Sequence, residues 1–202
     1  MKKKSFFMFV IICLFLVLVI VISFSNKNEP GIFTPEDTHV LGIKIDMPLN
    51  KVEKILGKPD RVKTEYEDAF GADVIYCFYK FGTIRFEPAG DLNYSVSSIV
   101  ISQPNFWGPR KTKINDDYKT VLKKFPYDPK RAVKDNRKIL YGSVNDNTGY
   151  ESDNIGYIFY DDTGRVNDIR YHFGGEGFGG YTLWYKVKDD KVREIVIAVM
   201  NV

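Results

Sequence analysis

The chain has 202 residues, of which 44% are hydrophobic and 27% are charged. It carries 29 basic and 26 acidic side chains, which gives a formal net charge of +3. Lys2, Lys3 and Lys4 account for the whole excess, so the rest of the chain is neutral. Because a nucleic-acid-binding protein usually presents a basic face and has a high pI, this charge pattern excludes nucleic acid as the expected partner.

The N-terminal residues indicate export. The three lysines precede an apolar run from Phe6 to Phe24 that is broken only by Ser23. A run of this length approaches the roughly 20 residues of a spanning helix and exceeds the usual signal-peptide core. The sequence therefore predicts a single-pass transmembrane anchor at residues 6–24, with residues 1–5 cytoplasmic and the remainder extracytoplasmic. The alternative is a signal peptide that is cleaved after Ser25, which makes the protein secreted.

The two cysteines predict no disulfide. Cys13 lies inside the apolar run and lacks the small residues that precede a lipid-attachment cysteine, so it is interpreted as a lipid-facing side chain. Cys77 is then the single cysteine of the exported part. It alternates with Ile75 and Tyr79, which predicts a buried thiol.

The first half of the exported part predicts a stalk, a helix and three strands. Residues 25–36 are polar and contain Pro30 and Gly31, which is typical of a short stalk. Pro48 in the first turn, apolar residues on one face and Gly57 as a cap predict a helix over 48–56. The predicted strands are 74–81, 83–87 and 96–102.

The second half predicts a similar unit. Asn115 or Asp116 caps a helix over 116–125, which Pro126 ends, and its apolar residues recur at i, i+3, i+4 and i+7. The predicted strands are 138–142, 156–160, 165–173, 181–187 and 191–200. Hairpin turns are predicted at 161–164 and 188–190.

The two helix segments are similar in sequence. Residues 46–57 align with residues 115–126 at an offset of 69. The pattern predicts an α+β fold in which an N-terminal transmembrane helix is followed by two tandem modules, 37–103 and 110–202, joined by a hinge at 104–109. Each module is expected to be a short helix packed on an antiparallel β-sheet meander.

This unit resembles the tandem repeat of the β-lactamase-inhibitory protein and BamE (SmpA/OmlA) group. The similarity rests on the Gly-Ile-Lys-Ile stretch at 42–45, the helix ending Ile-Leu-Gly-Lys-Pro at 55–59, and the second copy at 113–126. It implies an exported protein-interaction module with no particular target. The chain departs from that group because it lacks a paired cysteine and a lipid-attachment cysteine, and has Pro126 and Asp128 where the motif has Gly-Pro.

Catalytic motifs are not found. Residues 175–180 match G-x-G-x-x-G, but no helix follows, so the pattern predicts a hairpin loop. Ser143 does not lie in a G-x-S-x-G turn, and His39 and His172 have no partner at motif spacing. The sequence therefore predicts no catalytic residue, no cofactor and no enzymatic activity.

Acidic pairs occur where turns and helix caps favour aspartate, at 116–117, 161–162 and 189–190. They therefore predict no metal site. The polar loop 145–154 lacks the spacing of an EF-hand, and calcium binding there is left open.

Aromatic residues give the positive evidence, since the chain contains 13 Tyr and 2 Trp. In the strand 181–187 the apolar phase leaves Trp184 on the opposite face. Trp184, Arg170 and His172, with Tyr76 and Arg85 from the first sheet, are the predicted binding residues, because Trp, Tyr and Arg dominate interface energies. The alternative is that Trp184 is buried under the loop 174–180.

These observations favour a membrane-tethered, extracytoplasmic protein-interaction module of the cell envelope without catalysis. Its partner is expected to be a protein or a cell-envelope component, and the N-terminal helix is expected to contact the membrane. The alternative is a cell-envelope-acting hydrolase with an unrecognised site. A structural stalk or assembly factor is a third possibility.

Overall fold

A computed structural model of the chain describes residues 30–68, 71–90, 93–144, 152–174 and 180–200. The predicted anchor, most of the polar loop 145–154 and residues 175–179 lie outside this part. Two short 3-10 turns, at Pro35–Thr38 and Pro109–Lys111, precede the two halves of the fold. The helices and strands are, in chain order, α1 (Leu49–Leu56), β1 (Arg61–Glu67), β2 (Ala72–Tyr79), β3 (Gly82–Pro88), β4 (Tyr94–Ile101), α2 (Tyr118–Leu122), β5 (Arg137–Tyr141), β6 (Asn154–Tyr160), β7 (Val166–Phe173), β8 (Gly180–Lys188) and β9 (Lys191–Met200).

All nine strands of the described residues belong to one antiparallel sheet, in the order β1-β2-β3-β4-β9-β8-β7-β6-β5. The predicted α+β fold of two tandem modules is therefore wrong. The two separate sheets that were predicted form one continuous sheet, because the last strands of the two halves, β4 and β9, pair with each other. The helices are small, with eight residues in α1 and five in α2.

The predicted transmembrane helix is not supported either. In the described part of the chain, no helix has the length and apolar character needed to cross a bilayer. The segment 6–24 that carried this prediction lies outside the described residues.

The 69-residue offset reappears as local backbone geometry. Asp46 and Asn115 occupy equivalent positions just before the two helices, and both have positive φ angles of 65° and 71°. Leu41 and Arg110, also 69 residues apart, have φ angles of 56° and 51°. Because non-glycine residues rarely adopt this conformation, the shared positions show that both helices are entered through the same turn.

Each helix entry is hydrogen-bonded to the last strand of its own half. Asp46 N–H donates to the Val96 carbonyl at 2.9 Å, and Asn115 N–H donates to the Val192 carbonyl at 2.8 Å. The sheet pairs Ile99 with Ile197 and Ile101 with Ile195. Val96 and Val192, which accept these two hydrogen bonds, are 96 residues apart, so each β4 residue has its β9 equivalent 96 positions later. By this rule Ile99 corresponds to Ile195 and Ile101 to Ile197, so the pair Ile99–Ile197 corresponds to the pair Ile195–Ile101. The sheet centre is therefore related to itself by an approximate twofold axis between β4 and β9.

One face of the sheet carries the core. Alternate residues of the central strands point to this face, where Val52 of α1 and Val121 of α2 join the same cluster of buried side chains. Cys77 is 2% exposed, which confirms the predicted buried thiol. The strand residues of this core include Ile84, Phe86, Val96, Ile99, Ile101, Ile158, Ile169, Tyr171, Leu183, Tyr185, Ile195 and Ile197.

Eight strands lie within two residues of their predicted positions, but β1 was not predicted at all. Its sequence, Arg-Val-Lys-Thr-Glu-Tyr-Glu, alternates charged with uncharged residues, and it forms an edge of the sheet. An edge strand that is exposed on both faces needs no apolar face, so its composition does not reveal it.

The predicted turn at 188–190 is confirmed, with Asp189 and Asp190 at φ angles of 52° and 58°.

The segment predicted as a stalk enters the core at Phe33, which is fully buried. Arg110 holds this segment in place. Its Nε donates to Asp37 Oδ1 at 2.7 Å and its Nη2 to Asp37 Oδ2 at 2.6 Å. The same guanidinium donates to the carbonyls of Lys124 and Ile32 and lies 4.1 Å from the centre of the Phe125 ring. It therefore ties the N-terminal segment to the second half of the fold.

We expect Arg110→Ala to lower the free energy of unfolding by about 3 kcal/mol or more, because the carboxylate of Asp37 then stays mostly buried without its partner. Arg193→Ala is the matched control, since its ion pair with Asp189 is long, at 3.9 Å, and exposed. This control should change stability by less than about 1 kcal/mol. Urea unfolding of both variants checks the prediction, and equal losses would contradict it.

Buried tyrosines make the fold sensitive to alkali. Burial raises the pKa of Tyr141 to about 12, although its hydroxyl accepts a hydrogen bond from the Phe33 N–H, which lowers it. Burial also raises the pKa values of Tyr171 and Tyr185. Because the folded state holds these phenolic protons more tightly than the unfolded state, the stabilisation is complete below pH 10 and is lost as pH rises through the folded pKa.

We therefore expect the free energy of unfolding to fall steeply between about pH 10 and pH 12. Tyr141→Phe should lower stability at pH 8 by about 1–3 kcal/mol, because the Phe33 N–H loses its acceptor. The same variant should show a shallower fall above pH 10. Urea unfolding across this pH range is the measurement, and an unchanged alkaline slope in Tyr141→Phe would contradict the assignment.

Candidate functional site

The face opposite the core carries the residues that were predicted to bind a partner. In the described part of the chain the helices contribute to the core on the other side, so we call this the helix-free face. Strand pairing places all five predicted residues on it. Arg170 lies opposite Trp184, His172 opposite Thr182, and Tyr76 opposite Arg85.

Trp184 is the centre of a cluster on β7 and β8. Its Nε1 donates to Asp168 Oδ1 at 2.6 Å, and the Arg170 Nη2 donates to Asp168 Oδ2 at 3.1 Å. The Arg170 guanidinium lies 4.4 Å from the Trp184 ring centre, and the Lys186 ammonium lies 4.7 Å from it. The indole is half-buried and held by one hydrogen bond and two cation–π contacts, which fix its orientation.

Arg170 extends the cluster towards β6. Its guanidinium also lies 4.6 Å from the ring centre of Phe159. His172 lies one step further along β7, where its Nδ1 is 3.1 Å from the Met200 sulfur and its ring meets Tyr157 edge-on at 6.2 Å. His172 is therefore close to the cluster but is held by other side chains.

Tyr76 and Arg85 form a second cluster on β2 and β3. The Tyr76 hydroxyl donates to Glu67 Oε1 at 2.8 Å, and the Arg85 Nη2 donates to Glu67 Oε2 at 2.7 Å. Glu87 forms an ion pair with the same guanidinium. Burial, and then the hydrogen bond to the Glu67 carboxylate, raise the pKa of Tyr76. The carboxylate thus positions both predicted residues.

The two clusters flank a shallow trough. Arg85 lies on β3 and Trp184 on β8, with β4 and β9 between them, so three strand spacings of about 4.8 Å separate them by roughly 14 Å. The floor between the clusters is made of small or β-branched side chains, all half-buried. They are Thr83, Ser98, Val100, Thr182, Val196 and Ala198.

The helix-free face is more enclosed on two of its outer strands than in the trough. Ile155 and Tyr157 of β6 and Val74 of β2 are buried there. This face is therefore accessible over the central strands and at the exposed edge strand β1. This arrangement distinguishes Trp184, which borders the accessible floor, from Tyr157, which does not.

The acidic pairs that were interpreted as helix caps and turns have these roles at 116–117 and 161–162. The Asp117 side chain caps α2 by accepting from Lys119 N–H at 2.9 Å, and Asp161 accepts three hydrogen bonds within its own turn. Among the described residues, no three His, Cys, Asp or Glu side chains lie close enough to share a metal ion. The loop in which calcium was considered lies largely outside these residues.

Sequence reasoning found the large residues of each cluster and missed those that hold them. Glu67 lies on the strand that was not predicted, and the ring contact of Phe159 with Arg170 depends on the pairing of β6 with β7. The period-two alternation of Tyr157 and Phe159 was the available indication, because it places both on one face.

Comparisons with known proteins give little further information. No family model and no curated protein matches the chain. Among solved structures, the chain is similar to an extracellular protein containing an SCP domain from Bacillus anthracis str. Ames, with a TM-score of 0.43 and 14% sequence identity. The alignment covers 82% of this chain and 47% of that one, so the chain spans about half the length of the matched protein.

A similarity at this level does not establish a shared fold or function. It also does not bear on the resemblance to the β-lactamase-inhibitory protein and BamE group, which stays a prediction. The geometry of the helix-free face is therefore the main evidence for function.

Proposed function

We propose that the chain is an exported binding protein that takes up a protein partner in the trough of its helix-free face, without catalysis. The observation that carries this proposal is the Trp184 cluster. A large indole borders a floor of small and β-branched side chains and is held in one orientation by Asp168, Arg170 and Lys186. A side chain that is ordered before binding loses less conformational entropy when a partner covers it.

The composition of the trough supports a protein partner. Its floor is apolar at Val100 and Val196, and its walls contain Trp, Tyr and Arg, the residue types that dominate protein interfaces. The cations of the walls are neutralised by adjacent carboxylates, so an electroneutral, partly apolar segment fits better than a polyanion.

Export is part of the proposal and rests on the sequence. Lys2, Lys3 and Lys4 followed by the apolar run 6–24 are typical of a segment that directs a chain across a membrane. A partner in the cell envelope or outside the cell follows from that location.

The test places a photo-reactive amino acid at Thr182, on the trough floor, or at Lys54, exposed on α1. We expect irradiation of producing cells to give an adduct from position 182 that contains peptides of a second protein, and none from position 54. Trp184→Ala should weaken binding by about thirtyfold, because truncating a central interface tryptophan commonly costs 2 kcal/mol or more. It should also lower stability by about 1–2 kcal/mol, since the hydrogen bond to Asp168 is lost.

Trp107→Ala is the matched control. Trp107 is 53% exposed and lies in the segment 104–109. This segment lies on the core side of the sheet and not in the trough, because a Cβ on the neighbouring Gly108 would be only 2.7 Å from the side chain of Ile195. The adduct from position 182 should survive this change. Equal adducts from positions 182 and 54 would contradict the proposal. An adduct that cell-wall hydrolases shorten and that contains no peptide of a second protein would replace the protein partner by a cell-envelope polymer.

A further inference from the structure

The edge strand β1 is exposed on both faces and, among the described residues, pairs only with β2. Val62 is 55% exposed and Tyr66 is 64% exposed, although both are large apolar side chains. Natural proteins usually protect such an edge with a proline, a bulge or charged side chains, and of these devices β1 has the charged side chains. Between residues 61 and 67 there is no proline, and the register with β2 is unbroken.

The charges of β1 are self-complementary. If a second β1 runs antiparallel with Thr64 opposite Thr64, residue numbers that sum to 128 face each other. Arg61 then meets Glu67, and Lys63 meets Glu65, each pair occurring twice. These four charged residues all point to the helix-free face, because they lie at alternate positions. Directly opposite pairs of unlike charge stabilise an antiparallel ladder.

The other face of β1 is complementary in the same register. Val62 lies opposite Tyr66, which is an aromatic and β-branched pair of the kind that favours cross-strand packing. Pairing therefore covers two large apolar side chains that the single chain leaves in water. Thr64 lies on the symmetry axis and meets its own copy.

Neighbouring registers are less favourable. A shift of two residues in one direction places Lys63 opposite Lys63 and keeps only the Arg61–Glu65 pair, which occurs twice. The same shift in the other direction places Glu65 opposite Glu65 and keeps only the Lys63–Glu67 pair, so each shift replaces four unlike pairs by two unlike pairs and one like pair. Directly opposite like charges destabilise a strand pair. A shift of one residue sets the helix-free face of one copy against the core side of the other. The charge pattern thus selects one register.

We propose that β1 is a self-association strand, through which two copies of this chain join into one continuous sheet of eighteen strands. The contact is isologous, since each copy presents the same residues to the other about a twofold axis at Thr64. A seven-residue edge buries little surface, so the dimer is weak, with a dissociation constant on the order of 10–100 µM. The helix-free faces of both copies lie on the same side of the joined sheet.

Charge reversal tests the register. We expect sedimentation equilibrium of the purified full chain to show a reversible dimer. Lys63→Glu alone and Glu65→Lys alone should each raise the dissociation constant at least tenfold, because like charges then meet. An equimolar mixture of the two variants should form a heterodimer within about threefold of the wild-type affinity, since every opposite pair becomes attractive again. Both positions are about half exposed, so folding should be unaffected.

Lys54→Glu is the matched control, because it makes the same charge change on the exposed surface of α1 and should leave the dimer intact. In a Cys13→Ser background, Thr64→Cys should form an intermolecular disulfide at least tenfold faster than Val133→Cys, which is also exposed but lies outside β1. A wild-type chain that stays monomeric up to about 1 mM overturns the proposal. Variants that weaken the dimer but do not complement each other also overturn it, because the charges then do not face each other.

Discussion

The pairing of β4 with β9 is the constraint on which the rest of the fold depends. It is short, with four residue pairs, yet it joins four strands from one half of the chain to five from the other. Its core side packs Ile99 and Ile101 against Ile195 and Ile197, all fully buried. Because these pairs lie in the middle of the sheet, separating the strands would expose the centre of the core. The same pairing makes the helix-free face continuous, which brings the Trp184 and Arg85 clusters onto one surface.

Local patterns predicted most of the strands and both helix entries, but they did not predict how the halves combine. The alternation within β4 and β9 marks each as a strand with one buried face, and any second strand of that kind satisfies it equally well. The partner is decided by contacts far apart in sequence, such as the pairing of Ile99 with Ile197. Arg110 and Asp37 were missed for the same reason, since 73 residues separate them. A repeat in sequence thus identified a repeated turn and suggested separate sheets that the structure merges.

The sequence likewise predicted some residues of the candidate site and not others. Alternation placed Trp184 on the face away from the core, because that choice depends only on the phase of one strand. It did not show that Asp168 holds the indole, since this contact requires the register of β7 against β8. The support of Tyr76 and Arg85 by Glu67 was also hidden, because β1 has no apolar periodicity. Large side chains are therefore visible in sequence, whereas the residues that orient them depend on pairing.

Paired charges determine what the helix-free face can bind. Arg170 is matched by Asp168, Arg85 by Glu67 and Lys186 by Glu194. A partner that covers these pairs does not bury a lone charge, which would be strongly unfavourable. The pairs also give the face little net charge, so it provides no long-range attraction for a polyanion. Selectivity must then come from the shape of the trough and from the aromatic rings on its walls, which act only at contact distance.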